Sequence, residues 1–161
     1  MDYRIIPYED RFGEEVAELV LYIQTVEFSL PVTLEQEPDL TRLREVYRQG
    51  RGDFWVAVAG EEVIGTIGVQ DIGERQGALR RMFVKERWRG PKFHVAQNLL
   101  ETLESECRGR GFRELFLGTI EATQAAQRFY LRNGYTRIEP EALPAKFPRF
   151  ALDTKFFRKT L

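Results

Sequence analysis

Apolar residues near the start of the chain recur at helical spacing. Val16, Leu19, Val20 and Ile23 fall three and four apart, which predicts an amphipathic helix over 12 to 25. Before it, Tyr3-Arg4-Ile5-Ile6 reads as a short strand ended by Pro7, which has no amide hydrogen to give a sheet. Leu40, Leu43, Val46 and Tyr47 repeat the helical pattern and predict a second helix from Asp39 to Gln49, with Gly50 and Gly52 as its stop. The pattern then changes. Phe54 to Ala59 and Val63 to Val69 are β-branched and aromatic runs separated by Gly60-Glu61-Glu62, the signature of a hairpin, with Gly65 and Gly68 marking bulges or close backbone approach.

Ala78 to Val84 predicts a third strand of this series, followed by a basic loop. A helix with Ala96, Leu99, Leu100, Leu103 and Cys107 on one face then ends at Gly109 and Gly111. Leu115-Phe116-Leu117 is a short buried strand. Ala122, Ala125, Ala126 and Phe129 mark a last helix, closed by Asn133-Gly134. Tyr135 to Ile138 and Phe150 to Phe157 read as strands flanking a connection through Pro140, Pro144 and Pro148. The order β-α-α-β-β-β-α-β-α-β-β over 1–161 predicts one domain of mixed α/β (α+β) architecture.

Composition narrows the function. With 24 basic and 25 acidic residues, the net charge of −1 provides no global field for nucleic acid or an anionic membrane. No stretch reaches the roughly 20 apolar residues of a membrane span, and Met1-Asp2-Tyr3-Arg4 runs straight into strand-like sequence, so a cytoplasmic location is expected. Cys107 is the only cysteine and His94 the only histidine, which leaves no expectation of a metal site. Cys107 lies on an apolar helix stripe and reads as a small hydrophobe.

One segment departs from neutrality. Between Arg80 and Lys92 there are six basic residues (Arg80, Arg81, Lys85, Arg87, Arg89, Lys92) and a single acid, Glu86. The segment leaves a strand, passes Gly90 and enters a helix, where free amides and the helix dipole converge on one point. That arrangement suits a phosphate, although a basic loop can equally be a solvated one.

Met82-Phe83-Val84, Arg89-Gly90, Val95-Ala96 with Leu99-Leu100, Gly111-Phe112, and Phe129-Tyr130-Leu131-Arg132-Asn133-Gly134-Tyr135 together resemble the GNAT superfamily of N-acetyltransferases. Trp88-Arg89-Gly90, Leu117-Gly118-Thr119, Ala125 to Tyr130 and Asp153-Thr154-Lys155-Phe156 resemble a bacterial branch of it with unassigned substrates. The resemblance implies a mixed, mostly antiparallel central sheet flanked by helices, with acetyl-CoA as co-substrate. It also implies a backbone contact from Met82, Phe83 and Val84 to the pantetheine arm. Arg89, Gly90, Pro91, Lys92, Phe93, His94, Val95 and Ala96 would then hold the pyrophosphate. Pro91 and His94 depart from the family's loop pattern, with His94 standing where glycine is usual. Its side chain would either crowd the phosphates or donate a hydrogen bond to them.

By the same resemblance Tyr130 protonates the departing CoA sulfur, with core packing as its alternative role. Thr119, Thr123 and Phe129 line the cofactor groove. The strand before the loop offers Arg80 and Arg81 where relatives often carry a glutamate, so the general base is expected at Glu27, with Glu121 second. Phe28, Trp55 and Arg80 are expected at the acceptor site, Phe28 and Trp55 being equally good core residues. The expected reaction is acetyl transfer to a primary amine of a small molecule or peptide, by a monomer or homodimer. Its rival is a non-catalytic acyl-CoA-binding sensor.

Overall fold

In the strand Asp53–Ala59, Phe54, Val56 and Val58 point one way and Trp55 and Ala57 the other, and all five are buried. Period-two alternation with both sets buried requires a layer on each face of the sheet. The structure, a computed structural model describing residues 2–161, supplies both layers. The strands are β1 (Arg4–Pro7), β2 (Asp53–Ala59), β3 (Glu62–Asp71), β4 (Gln76–Val84), β5 (Glu114–Thr119), β6 (Thr136–Ile138) and β7 (Lys155–Thr160). The helices are α1 (Gly13–Tyr22), α2 (Leu43–Tyr47), α3 (Val95–Gly109) and α4 (Gln124–Arg132). One core joins α1 and α2 to Phe54, Val56 and Val58. A second joins α3 and α4 to Trp55, Ala57, Ile67 and Leu79, and a smaller third gathers Ile72, Ala78, Phe116, Phe147 and Phe156. Leu99, Leu100, Leu103 and Cys107 are fully buried along α3, each leucine contributing about 2–3 kcal/mol by burial.

The sheet order is β1-β2-β3-β4-β5-β7-β6, antiparallel throughout except between β4 and β5. That parallel pair is held at three positions, Gln76 to Glu114, Gly77 to Leu115 and Ala78 to Phe116, after which the strands part. The parting coincides with a bulge: the β3–β4 register shifts between Thr66 and Gly68, and Arg81 takes φ 57. An extra residue on one strand bends and twists it away from its neighbour. Thr66 fixes the bulge by donating its hydroxyl to the Arg81 carbonyl at 2.7 Å. Gly68 meets the expectation of close approach, since a methyl there would lie 2.5 Å from the Phe54 ring.

Two elements differ from their sequence patterns. The second helix is a 3-10 turn, Pro38–Thr41, followed by a single turn at α2, broken where Arg42 takes φ −141. Glu37 and Asp39 are drawn inward to Arg81 there, and this pairing overrides local periodicity. The last strand begins at Lys155 rather than Phe150. Residues 150–154 instead form a turn in which the Asp153 amide donates to the Phe150 carbonyl at 3.0 Å.

Candidate active site

The parted ends of β4 and β5 open a cavity of about 320 Å³. Its floor is Leu79 to Val84 and Leu117 to Thr119, with α4 on one side through Ala125, Ala126 and Tyr130. On the other side α1 runs on into a π turn, Ile23–Glu27, whose extra residue turns Gln24 toward the cavity beside Phe28 and Leu30. The proline-rich connection closes it with Phe147, Pro148, Phe150 and Asp153.

At one end of this cleft the loop from Arg89 leads into α3. It is fixed from beneath by aromatic rings: Trp88 packs on Phe93 at 4.7 Å and on Tyr3 at 5.9 Å. The Tyr3 hydroxyl donates to the Phe93 carbonyl at 2.7 Å. Phe93 is therefore an anchor of the loop. His94 itself adopts the left-handed conformation, φ 55 and ψ 28, with its side chain exposed. The backbone thus takes the turn that glycine would allow, and the amides of the first turn of α3 lack helical partners, as in any helix. Gly90, at φ 94, has open space where a Cβ would stand. Gly90→Ala is expected to lower stability by about 1 kcal/mol through backbone strain alone, read as a drop in the thermal midpoint.

The six basic residues of this region do not act as one cluster. Arg81 is buried against Glu37 and Asp39, Lys85 and Arg87 both pair with Glu62, and Arg80 donates to the Gln70 amide oxygen at 3.0 Å. Arg89 donates through Nε to the Val84 carbonyl at 2.8 Å and pairs with Glu27 at 2.7 Å, and Lys92 lies over the Phe93 ring. Arg89 and Lys92 are the two that flank the loop.

Tyr130 is 6% exposed and reaches the cavity between Phe129, Tyr135 and Phe157. Its hydroxyl touches the Met82 sulfur at 3.4 Å, a weak acceptor. Burial, and then the charge of Asp153, push its pKa well above the ordinary tyrosine value, so it stays protonated at neutral pH. Thr119 and Thr123 meet through their hydroxyls on the cavity wall, Thr123 donating onward to the Ile120 carbonyl at 2.7 Å. Arg80 and Phe28 also line the cavity. Trp55 does not: it is 3% exposed in the core beneath α3, with the Arg110 guanidinium 5.5 Å from its ring. Phe129 packs edge-on against Tyr130. Glu27, in its pair with Arg89, lies off the cavity wall, and Glu121 is exposed beside Lys155 at 3.7 Å.

Asp153 is absent from the site expected on sequence grounds, yet among the described residues it is the one carboxylate on the cavity wall. Gly118 makes room for it, since a methyl there would meet Asp153 Oδ2 at 2.7 Å, and the Thr154 amide pins the segment by donating to the Thr119 carbonyl at 3.0 Å. Burial raises its pKa to about 6, against the opposing charges of Arg80, Arg81 and Arg149. Its position depends on the fold of the proline-rich connection, which no periodicity announces. Cys107, by contrast, is buried in the α3 core with its thiol pushed up to about 12, as a packing residue should be.

The sequence profile of the acetyltransferase (GNAT) family matches residues 19–135, which span β2 to β5, the loop and α4. The chain belongs to the GNAT family of acetyltransferases. A solved GNAT acetyltransferase from Staphylococcus aureus Mu50 superposes with a TM-score of 0.95 at 31% identity, covering 99% of each chain. PaiA N-acetyltransferase of Thermoplasma acidophilum, solved with coenzyme A, shares the fold at a TM-score of 0.75 and 17% identity over 100% of each chain. N-acetyltransferase 8F1 of Rattus norvegicus is 28% identical over 104 residues, 62% of this chain and 46% of its own length. The probable N-acetyltransferase 14 of Xenopus tropicalis is 28% identical over 119 residues, 73% of this chain and 57% of its own length. This GNAT chain thus spans about half the length of these two relatives. Its seven-stranded sheet, antiparallel but for β4–β5, is that of the family, and none of its described helices is long and apolar enough to cross a membrane.

Proposed function

We propose that the protein transfers the acetyl group of acetyl-CoA to a primary amine of a small molecule or peptide, by direct attack within a ternary complex. The observation that carries this reading is the parted β4–β5 seam, whose cavity is lined from Arg89, at the start of the loop into α3, to Tyr130. The residues present fit the co-substrate. Strand edges at Met82, Phe83 and Val84 offer backbone hydrogen bonds to an extended amide-bearing arm. The loop Arg89–Ala96 offers helix-terminal amides and the cations of Arg89 and Lys92 to a pyrophosphate. Thr119 and Thr123 contribute hydroxyls along the groove.

Acetyl-CoA supplies the acyl group as a thioester. Backbone amides of β4 polarise its carbonyl, and Tyr130 delivers a proton to the departing sulfur. Glu27 supports the loop by holding Arg89, and Phe28 and Arg80 face the acceptor. Titration calorimetry with acetyl-CoA and CoA tests the reading without an identified acceptor. About one equivalent should bind saturably, and absence of binding at millimolar cofactor overturns it. Binding without turnover of any amine is the outcome expected of a non-catalytic sensor.

A further inference from the structure

We infer that Asp153 is the proton acceptor of the transfer and that, together with the buried Gln24 amide oxygen, it commits the site to a protonated primary amine carried on an apolar body. The inference rests on the acetyl-CoA reading above and names the acceptor class for the same cavity.

Three observations lead to it. An amine substrate arrives as an ammonium ion, and nitrogen can attack only after losing a proton, so a base must face the thioester. Asp153 is the one carboxylate on the wall among the described residues, with no side-chain hydrogen bond or ion pair there, whereas Glu27 is held by Arg89 off the wall. Second, Gln24, a residue of the cavity wall, is 4% exposed and donates its amide nitrogen to Glu37 at 2.8 Å, which leaves its oxygen buried without a hydrogen-bond partner. A buried acceptor without a donor is costly, and an ammonium N–H relieves it. Third, beside Arg80 the wall given by the π turn and the proline-rich connection is apolar at Ile23, Phe28, Leu30, Phe147 and Phe150. Such a collar gains from a hydrophobic body, and the Arg80 guanidinium beside it repels a second cation.

The protons balance. Asp153 takes one from the ammonium, and the freed nitrogen forms the C–N bond with the thioester carbonyl carbon. As the C–S bond breaks, the nitrogen gives up its second proton, Tyr130 relays a proton to the sulfur, and CoA leaves as the thiol. Asp153 then returns its proton to water. The groups facing Asp153 are Arg80 and Arg81 of β4, Arg149 of its own segment and Tyr130 of α4. The three cations keep it ionised above about pH 6 in spite of burial, which matches a base working near neutrality.

The test measures acetylation of 2-phenylethylamine, hexylamine, lysine and spermidine by the wild type and Asp153→Asn from pH 5 to 9.5, with CoA binding by calorimetry alongside. The wild type should favour the first two amines by at least about tenfold in kcat/KM, with a limb rising through about pH 6. Asp153→Asn should bind CoA normally, lose that limb, and be slower by on the order of thirtyfold at pH 7. The deficit should shrink toward pH 9.5, where free amine arrives from solution. A merely structural role for Asp153 would not give this recovery. Preference for lysine or spermidine overturns the apolar acceptor, and a wild-type pH profile in the variant overturns the base. CoA binding with no amine acetylated overturns both. Failure of the wild type to bind CoA removes the underlying acetyl-CoA reading instead.

Discussion

Arg81→Ala should cost about 3–5 kcal/mol of unfolding free energy, measured by urea denaturation at pH 7.5. Arg81 lies nearly buried between two buried carboxylates, donating Nη1 to Glu37 at 2.7 Å, Nη2 to Asp39 Oδ1 at 2.7 Å and Nε to Asp39 Oδ2 at 2.9 Å. Tyr47 adds a third hydrogen bond to Asp39 at 2.8 Å. Removing the cation strands two charges where water does not reach, and this cost dominates the lost attraction itself. Because the residue sits at φ 57, Arg81→Gly separates two effects. It relieves about 1 kcal/mol of backbone strain and should still be strongly destabilised. Burial alone would raise the Asp39 pKa, but the hydrogen bond and charge of Arg81 outweigh it and hold the carboxyl below its usual value. That contribution is present above the unfolded-state value and lost as pH falls through the folded one. Without Arg81 the sign reverses, and protonation relieves the buried carboxylate. The deficit of Arg81→Ala should therefore narrow as the pH is lowered toward 4, and a pH-independent deficit would rule out charge stranding as its cause.

Tyr130→Phe should lower kcat by about 100- to 1,000-fold while CoA affinity changes by less than about threefold. The hydroxyl's one hydrogen bond is to a thioether sulfur, so its removal should alter stability by less than about 1 kcal/mol. A small change in unfolding free energy beside a large change in turnover would separate the acid from a packing ring. Since its pKa lies far above neutrality, Tyr130 should contribute no limb to the pH–rate profile below about pH 10. An unchanged kcat in Tyr130→Phe would remove the residue from the chemistry.

Much of the fold is legible along the chain because periodicity reports burial directly. The alternation in Phe54 to Val58 and the α3 stripe of Leu99, Leu100, Leu103 and Cys107 each face a core, and hydrophobic position alone fixes them. The helix expected over 39–49 is broken because Glu37 and Asp39 answer to Arg81, more than 40 residues away, and local pattern carries no trace of a long-range ion pair. Loop composition misleads for a similar reason. Six cations close together suggest one anion site, yet the fold assigns Arg81 to the interior and two others to Glu62. The Tyr130 region is readable because its motif is contiguous. Asp153 is not, since a run ending in Phe156-Phe157 reads as strand from Phe150 onward, and its place at the cavity depends on Gly118 leaving room on another strand.

The separation of β4 from β5 beyond Ala78 gives this sheet an edge in its own interior. Edge strands elsewhere are shielded because unpaired amides invite other chains. Leu79 and Val84, which flank this edge, are only 4% and 7% exposed, and the cavity runs along its seam side. In deuterium exchange the amides of residues 79–84 that β5 leaves unpaired should label faster than the paired amides of residues 76–78. The same edge makes the groove receptive to ligands that imitate a strand, so a short amide-bearing compound with no nucleotide at all is a rational starting point for an inhibitor.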